Sequence, residues 1–343
     1  AYAAATVLGA EKAVVLRVRE NLTLWWVTFW SAMVPAVAIV AMVAVASKRR
    51  DTPIPVPALA ALTFGTMLLP FGANLYGHVL GAALGYAAWL VLDGGPGSWK
   101  RGAVAGVFVA LAVTVEYPLA LVGVALAVLL MARRHWGSLI AFGLAGVPFA
   151  ILLAIYQNAA FGSPFSSGYQ HKTYHEDATL FITGVPKLST LAQVLFGSRG
   201  LFLFTPIVLV GVIGLVKRWK ETRDDGAAVG LGVTVAFILL QAGWVNPWGG
   251  DGPGPRYVIP MLPFVGIGLA HIWQRVPAPL RRLTVLVSVA AMVLPTITDH
   301  LIGDGTILVS GHLRTLVDSG PNPTVWSIAL GPVGWVLYAA SVV

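Results

Sequence analysis

The sequence predicts an all-α, polytopic transmembrane helical bundle. Hydrophobic residues make up 57% of its 343 residues and charged residues only 10%, and the mean hydropathy is +0.80. A soluble globular domain carries about 25% charged residues, because its surface must meet water. At about 20 residues per span, the chain has room for roughly 10–11 membrane helices with short connections. The long apolar runs also lack the alternating polarity of outer-membrane barrel strands.

The composition excludes several kinds of site. The chain contains no Cys, so disulfides, zinc–thiolate centres and catalytic thiols are excluded. Its formal net charge is +8, which in a membrane protein is first a statement about loop topology. We therefore expect no nucleic-acid partner.

The predicted elements are hydrophobic runs separated by polar or basic segments. The runs cover residues 22–46, 54–71, 77–92, 102–131, 137–156, 201–216, 227–243, 257–273, 283–297 and 325–343. Five basic clusters lie at 48–50, 100–101, 133–134, 217–223 and 275–282. The positive-inside rule places all five in the cytoplasm, so an even number of crossings must separate each cluster from the next.

The run 102–131 has a basic cluster at each end, so it must turn back. Glu116-Tyr117-Pro118 is the predicted tip of this hairpin, because Pro interrupts helical hydrogen bonding and restricts the residue before it. Each arm has about 14 residues and spans roughly 21 Å, short of a full hydrocarbon core. We therefore expect the tip to lie within the outer half of the bilayer.

The whole chain, 1–343, reads as a single transmembrane domain whose polar segments lie on the extracytoplasmic side. The two longest of these segments are predicted to be loops at 156–199 and 299–324. The polar segments predicted to lie on the extracytoplasmic side hold most of the His residues and many Tyr, Trp and Asn residues. We therefore expect any chemistry to occur on the extracytoplasmic face. Since the sequence starts at Ala1, we also expect a first span and a first outer loop to precede it.

The segment 244–257 is the most specific candidate site. Arg256 offers planar, bidentate donors to a phosphate, and Asp251 is close enough in sequence to hold its guanidinium. Trp248 and Tyr257 offer flat apolar faces to a sugar ring. The alternative is an aromatic belt at the membrane interface. Arg199, at the outer mouth of another span, is either an interfacial anchor or a second ligand of the same donor.

Other polar residues are predicted to line the same outer cavity. A carboxylate near the hydrocarbon boundary is costly unless it is solvated or paired. Glu116 should therefore face a polar cavity near His78 or Asn74 and help to position a donor or an acceptor. Tyr169 is the fourth predicted lining residue. A plain hairpin with interfacial polar residues remains the alternative.

A metal site is a weaker hypothesis. His171, His175, Glu176 and Asp177 could ligate a divalent cation if their segment were helical, but it has no apolar periodicity to fix that spacing. We expect no required cofactor, and a divalent cation stays an open alternative.

The order of these segments resembles the GT-C superfamily of polytopic membrane glycosyltransferases, in its bacterial protein O-mannosyltransferase-like branch. The resemblance covers roughly residues 22–280, and the Ala, Val, Gly and Arg bias suggests a GC-rich bacterium such as an actinobacterium. The matching pieces are 63–78, Glu116-Tyr117-Pro118, 161–164 with 168–169, 198–202, and 254–257 with Pro260 and Pro263.

The resemblance implies a GT-C-like enzyme of the bacterial plasma membrane with its active site on the extracytoplasmic side. Its donor would be a polyprenyl-phosphate-linked sugar, and its acceptor a lipid, glycan or protein. The family's catalytic carboxylate lies in the first outer loop. Residues 1–21 hold only Glu11 and Glu20, neither in such a motif, so the sequence names no catalytic residue.

Other classes of function remain open at this point. They are a non-catalytic GT-C-like subunit that acts with a membrane-protein partner, a transporter or flippase of lipid-linked sugars, and a membrane acyltransferase. No internal repeat marks the halves of a secondary transporter, and no series of intramembrane charges marks a proton relay.

Overall fold

The computed structural model describes residues 22–95, 97–171, 184–244, 246–299, 301 and 307–323, with the single positions 331, 333 and 336. Every regular element in this part of the chain is a helix, and no strand occurs in it. The all-α prediction is therefore confirmed. The segment 1–21 and most of the predicted run 325–343 lie outside the described residues.

The helices of the first half follow the predicted runs closely. They are α1 (Leu22–Lys48, with a π-helical turn at Phe29–Met33), α2 (Val56–Phe64), α3 (Leu68–Gly72), α4 (Gly77–Asp93), α5 (Trp99–Val115), α6 (Ala120–Ala132) and α7 (Trp136–Phe161). Gly162 ends α7 with φ +75°, a left-handed conformation that glycine adopts without a steric cost.

The helices of the second half are shorter on average. They are α8 (Leu188–Phe196), α9 (Leu201–Phe204), α10 (Pro206–Thr222), α11 (Asp225–Ala242), α12 (Leu262–Ile272), α13 (Ala278–Ile297) and α14 (Leu308–Ser319). A 3₁₀ helix at Arg256–Met261 leads into α12, and another at Trp273–Arg275 follows it. Asp224 caps α11, because its side chain accepts a hydrogen bond from the Gly226 amide.

Several helices are long and apolar enough to span a membrane. Among the described residues there are five, and six if the bent pair Leu188–Phe204 and Pro206–Thr222 counts as one span. Helices Gly77–Asp93 and Tyr117–Ala132 are apolar but shorter. A multi-pass membrane protein is therefore supported, while the larger count of 10–11 spans stays a prediction.

The break at Glu116 is where the sequence predicts it. Helix α5 ends at Val115, Glu116 is extended with φ −152°, and a 3₁₀ turn at Tyr117–Leu119 leads into α6. The arms have 17 and 13 residues, or about 26 Å and 20 Å of helix, so both are shorter than a hydrocarbon core of about 30 Å.

Glycines bring parallel helices into close contact. Gly102 and Gly106 of α5 lie against the backbone of Ser138 and Phe142 of α7, and neither has room for a Cβ atom. Contacting positions increase together along both helices, so α5 and α7 are parallel, as a returning α6 between them requires. Close backbone approach at small residues is a common means of packing membrane helices.

The second such pair is α10 and α12. Gly211 of α10 lies against Val265, and Gly214 lies against the backbone of Gly268, so these helices are parallel too. Helix α11 connects them in the opposite direction.

Ion pairs join the basic clusters at one end of the bundle. Arg50 pairs with Asp93 at 2.5 Å and with Asp224 at 2.9 Å, and Arg218 also pairs with Asp224. Arg133 contacts Asp225 at 2.8 Å. The cluster 275–282 joins through Arg275, which lies 2.8 Å from Glu221. The four clusters 48–50, 133–134, 217–223 and 275–282 thus share one end, as the predicted topology requires, and the side of the membrane that this end faces stays a prediction.

The two predicted outer loops contain helices. In the segment 156–199, residues 156–161 continue α7, and 188–196 form α8. In the segment 299–324, residues 308–319 form α14. The polar composition that indicated loops is here the polar side of amphipathic helices, whose apolar residues include the buried Val194 and Leu308.

Candidate functional site

The residues of the most specific candidate segment lie at the end of the bundle opposite the basic clusters. Helix α11 ends at Ala242, and the segment 243–255 leads from it to the 3₁₀ helix at Arg256–Met261. The backbone turns at Gly249 and Gly250 have φ values of +77° and +130°, which favour glycine. The segment is therefore a folded turn rather than an extended connection.

Gln241 holds this turn at both ends. Its Nε2 atom donates to the Pro247 carbonyl at 2.9 Å, and its Oε1 atom accepts from the Tyr257 amide at 3.0 Å. The Gln241 side chain is fully buried, so these bonds are shielded from water. Sequence reasoning missed this residue, although a lone amide in the apolar run 227–243 was an available signal.

Arg199 holds the middle of the same turn. It is 1% exposed, and its Nη1 atom donates to the Gly250 carbonyl at 3.3 Å and to the Gly252 carbonyl at 3.2 Å. The reading of Arg199 as a snorkelling interfacial anchor is therefore wrong, since a snorkelling side chain reaches water. Its charge and its donors are used to fix the backbone around Gly250.

Arg256 lies beside this fixed turn. The residue is half-buried, and its guanidinium carbon lies 5.5 Å from the Tyr257 ring centroid. Its Nε atom is buried and has no hydrogen-bond partner among the described residues. A buried donor without a partner is costly in a folded protein, so the guanidinium of Arg256 keeps hydrogen-bonding capacity that no described residue uses.

The expected support of Arg256 by Asp251 is not found. Asp251 is exposed, and the two side chains form no ion pair with each other in the structure. The acidic side chain instead faces water at the turn. The position of Arg256 is set by its ring neighbour and by the turn at Gly249 and Gly250, against which its side chain packs.

The aromatic residues are mostly buried. Tyr257 is 4% exposed and packs on Trp244 with ring centroids 4.2 Å apart. Trp248 is 7% exposed and packs against Gly197. Little of the Trp248 ring is therefore exposed to a sugar in this structure, and its part in sugar binding stays a prediction.

Glu116 and His78 form a short contact at the hairpin tip. The His78 Nδ1 atom lies 2.6 Å from the Glu116 carboxylate, and His78 is 5% exposed. The expectation that Glu116 lies near His78 is confirmed. Asn74 does not join them, since its side-chain amide donates to the Pro70 carbonyl at 2.8 Å in its own turn.

His78 connects the Glu116–His78 pair to the candidate segment 244–257. Its ring meets the Tyr257 ring edge-on at 5.4 Å and stacks near Tyr76 at 6.0 Å. Glu116, His78, Tyr257 and Arg256 therefore form a continuous series of contacts across the end of the bundle opposite the basic clusters.

The pKa of Tyr76 is affected by burial and by nearby charges. Burial raises the pKa of its phenol, the charge of Arg256 acts to lower it, and the charges of Asp251 and Asp299 raise it further. These three ionised groups thus lie close enough to Tyr76 to affect its proton.

A cavity of about 600 Å³ opens beside Glu116. Its lining includes Glu116, Tyr117, Tyr156 and Gly168. Gln157 donates to the Tyr117 hydroxyl at 3.2 Å and so holds one wall. Tyr169 lies in the 3₁₀ turn at Gly168–His171, next to this wall in sequence.

The predicted metal ligands are only partly described. His171 stacks on Phe161 with ring centroids 4.9 Å apart, and its Nε2 atom lies 2.9 Å from the Ser166 hydroxyl. His175, Glu176 and Asp177 lie outside the described residues. In the described part of the chain, no group of three or more His, Asp or Glu residues could hold a metal ion.

Comparison with family models, with curated proteins and with solved structures finds no match to this chain. The resemblance to GT-C glycosyltransferases therefore depends on the sequence motifs alone.

Proposed function

We propose that this protein is a GT-C-like membrane glycosyltransferase that moves a sugar from a polyprenyl-phosphate donor to an acceptor. In the proposed orientation, the end that carries Arg256 faces the extracytoplasmic side of a bacterial plasma membrane. The observation that carries the proposal is the Arg256 guanidinium, whose buried Nε atom has no hydrogen-bond partner among the described residues.

The charges around Arg256 suit a phosphate. Arg256 forms no ion pair with Asp251, so its charge is not neutralised by the acid nearest to it in sequence. Arg199 adds a second positive charge beneath the Gly250 turn. A guanidinium binds phosphate through parallel N–H donors, which gives both affinity and orientation.

The proposed chemical role follows from how charge changes during transfer. As the bond between the sugar and the phosphate breaks, the phosphate of the leaving polyprenyl group gains negative charge. A cation that is already fixed in place stabilises this developing charge more than the ground state. The Gln241 and Arg199 bonds to the turn supply that fixation, because they hold the backbone next to Arg256.

The proposal is tested by sugar transfer in proteoliposomes that contain the purified protein. A panel of radiolabelled polyprenyl-phosphate sugars serves as donor, and total lipid, glycan and protein fractions serve as acceptors. Transfer of label from one donor to one fraction is the expected result. Movement of intact donor across the bilayer without transfer would indicate a flippase instead. Donor binding without either activity would indicate a non-catalytic subunit.

A further inference from the structure

An apolar groove lies between α5 and α7. It has a volume of about 260 Å³, and small residues form much of its lining, among them Gly106 and Ala110 of α5 and Gly143 and Gly146 of α7. Phe149 forms part of its wall. The stretch from Gly106 to Thr114 corresponds to about 12 Å along a helix. The groove is therefore narrow, elongated and free of charged side chains among its described lining residues.

The groove leads to the cavity beside Glu116. Thr114 and Leu153 line both spaces, so the apolar groove and the polar cavity are adjacent parts of one depression. Its polar end is lined by Glu116, Tyr117 and Tyr156, and its described lining includes no Lys or Arg. An apolar stem that ends in a polar pocket matches the shape and chemistry of an amphiphilic lipid.

We propose that this depression binds the sugar acceptor, and that the acceptor is a lipid with an uncharged, hydroxyl-bearing headgroup. The inference rests on the proposed glycosyltransferase function. A hydrocarbon chain fits the α5–α7 groove, and the headgroup lies at Glu116. The carboxylate disfavours a phosphate headgroup, because no described cation in the lining offsets like-charge repulsion. A hydroxyl group, in contrast, can donate a hydrogen bond to it.

In this proposal, the donor lipid and the acceptor lipid bind at different places. The phosphate of the donor lies at Arg256, and the hydroxyl of the acceptor lies at Glu116. His78 separates the two, since it touches Glu116 at 2.6 Å and the Tyr257 ring at 5.4 Å. Tyr257 in turn lies under the Arg256 guanidinium.

In the proposed transfer step, one bond at the anomeric carbon replaces another. The acceptor oxygen forms a bond to the anomeric carbon of the sugar while the bond from that carbon to the phosphate oxygen breaks. The electron pair of the broken bond leaves with polyprenyl phosphate. The proton of the acceptor hydroxyl moves to the Glu116 carboxylate, which later releases it to water. His78 is a positioning residue that holds the carboxylate by its short contact.

The groove can be blocked without disturbing the fold. A Cβ atom added at Gly146 meets nothing within 4 Å, so Gly146→Leu should place its side chain in open groove space. Gly232 of α11 gives the matched control, because a Cβ atom there is equally unhindered and the residue does not line the groove. Both variants add the same atoms to an exposed or half-exposed helix position.

The probe is decyl glucoside with a photoreactive group in its chain, applied to the protein in nanodiscs. A photoreactive decyl phosphate serves as the anionic comparison. We expect the glucoside to label α5 and α7 peptides, and Gly146→Leu to lower this labelling about tenfold by displacing buried methylene groups. Gly232→Leu should label like the unmodified protein. Equal labelling of both variants, or preferential labelling of the groove by decyl phosphate, would overturn the proposal.

Glu116→Gln tests the role of the carboxylate separately. It should keep glucoside labelling but slow sugar transfer by about 10²-fold or more, as expected for loss of a general base. It should also remove the acidic limb of the pH–rate profile. Transfer at the unmodified rate, or an unchanged acidic limb, would contradict proton transfer to Glu116.

The two proposals fail in different ways. Glucoside labelling of the groove in a protein that transfers no sugar would reject the glycosyltransferase function and with it the role as acceptor site. Intact transfer in Gly146→Leu, with the acceptor Michaelis constant unchanged, would reject the groove and leave the function standing. Weakened binding of the donor to Gly146→Leu would show that the groove holds the donor chain, and would contradict the acceptor assignment.

Discussion

The imidazole of His78 at the start of α4 is joined to the carboxylate of Glu116 at the α5–α6 tip by a contact of 2.6 Å. The side chains are 6% and 13% exposed. Because both are shielded, water cannot readily hydrate the partner that remains when the other is replaced. We expect His78→Leu to lower the free energy of unfolding by about 1–3 kcal/mol, because the carboxylate keeps its desolvation cost without its partner.

A double-mutant cycle with Glu116→Gln, measured by thermal or denaturant unfolding in detergent, isolates the pair. The coupling free energy should be about 1 kcal/mol or more, as is found for residues in contact. Additive effects of the two substitutions would show that the contact does not stabilise the hairpin tip.

The ion-pair network at the basic end predicts loss of stability in acid. Burial acts to raise the pKa of Asp224, but the hydrogen bond and charge of Arg218 and the charge of Arg50 outweigh it, so the pKa is lowered. A lowered pKa in the folded state stabilises the protein fully above the unfolded pKa of about 4. That stabilisation is lost as the pH falls below this value and through the folded pKa.

Asp224→Asn should therefore remove the acid-dependent part of this stability, and lower stability at neutral pH by about 3–5 kcal/mol. Asp225→Asn is the matched control, because Asp225 is adjacent, 50% exposed at its side chain, and paired among the described residues with the partly exposed Arg133. Its effect should stay within about 1 kcal/mol. Thermal unfolding of both variants at pH 7 and at pH 4 measures these effects. If Asp224→Asn and Asp225→Asn lowered stability equally, the result would contradict a buried ion-pair network at Asp224.

Close glycine packing predicts which helix faces tolerate larger residues. Gly214 of α10 meets the Gly268 backbone, whereas Gly232 of α11 faces open space. We expect Gly214→Val to abolish folded protein or to lower its unfolding temperature markedly, because the helices must separate to admit the side chain. Gly232→Val should yield folded protein at nearly the unmodified level. Size-exclusion profiles of detergent extracts and unfolding temperatures give the comparison, and a well-folded Gly214→Val would refute parallel packing at this contact.

The orientation can be measured directly because the chain has no Cys. Ser163 follows α7 at the Arg256 end and is half-exposed, and Lys220 lies near the basic end and is exposed. A membrane-impermeant maleimide added outside intact cells should label a Cys at 163 and not one at 220. Labelling of 220 alone would invert the proposed orientation.

The helical bundle was largely predictable because its determinants are local. Apolar runs and basic clusters indicate helices and their common end without knowledge of tertiary contacts, and Pro118 after two polar residues indicates the break at Glu116. Helix α14 was missed because a polar segment with amphipathic periodicity resembles a loop when only its composition is considered.

The candidate site was predictable only in part. Arg256 and Glu116 stand out in the sequence because charges are costly in an apolar chain, and the structure places Glu116 beside His78. The functions of Arg199 and Gln241 could not be predicted, since they depend on which carbonyl groups of 247–252 the fold brings near them. The burial of Trp248 depends likewise on Gly197, 51 positions earlier in the chain.

The central claim is that Arg256 binds the phosphate of a lipid-linked donor. Arg256→Lys keeps the charge but loses the bidentate geometry, and Arg256→Ala loses both. Arg314→Ala is the control, because Arg314 lies in α14 and its side chain is 85% exposed. All variants should be compared at matched amounts of folded protein.

The most direct measurement is the binding of a radiolabelled polyprenyl-phosphate sugar to each variant in nanodiscs, with sugar transfer measured in parallel. We predict that Arg256→Ala weakens donor binding and lowers transfer by about 10²-fold or more, that Arg256→Lys lies between it and the unmodified protein, and that Arg314→Ala matches the unmodified protein. Folded Arg256→Ala and Arg256→Lys that bind donor and transfer sugar at the unmodified level would contradict the assignment of Arg256 to the donor phosphate.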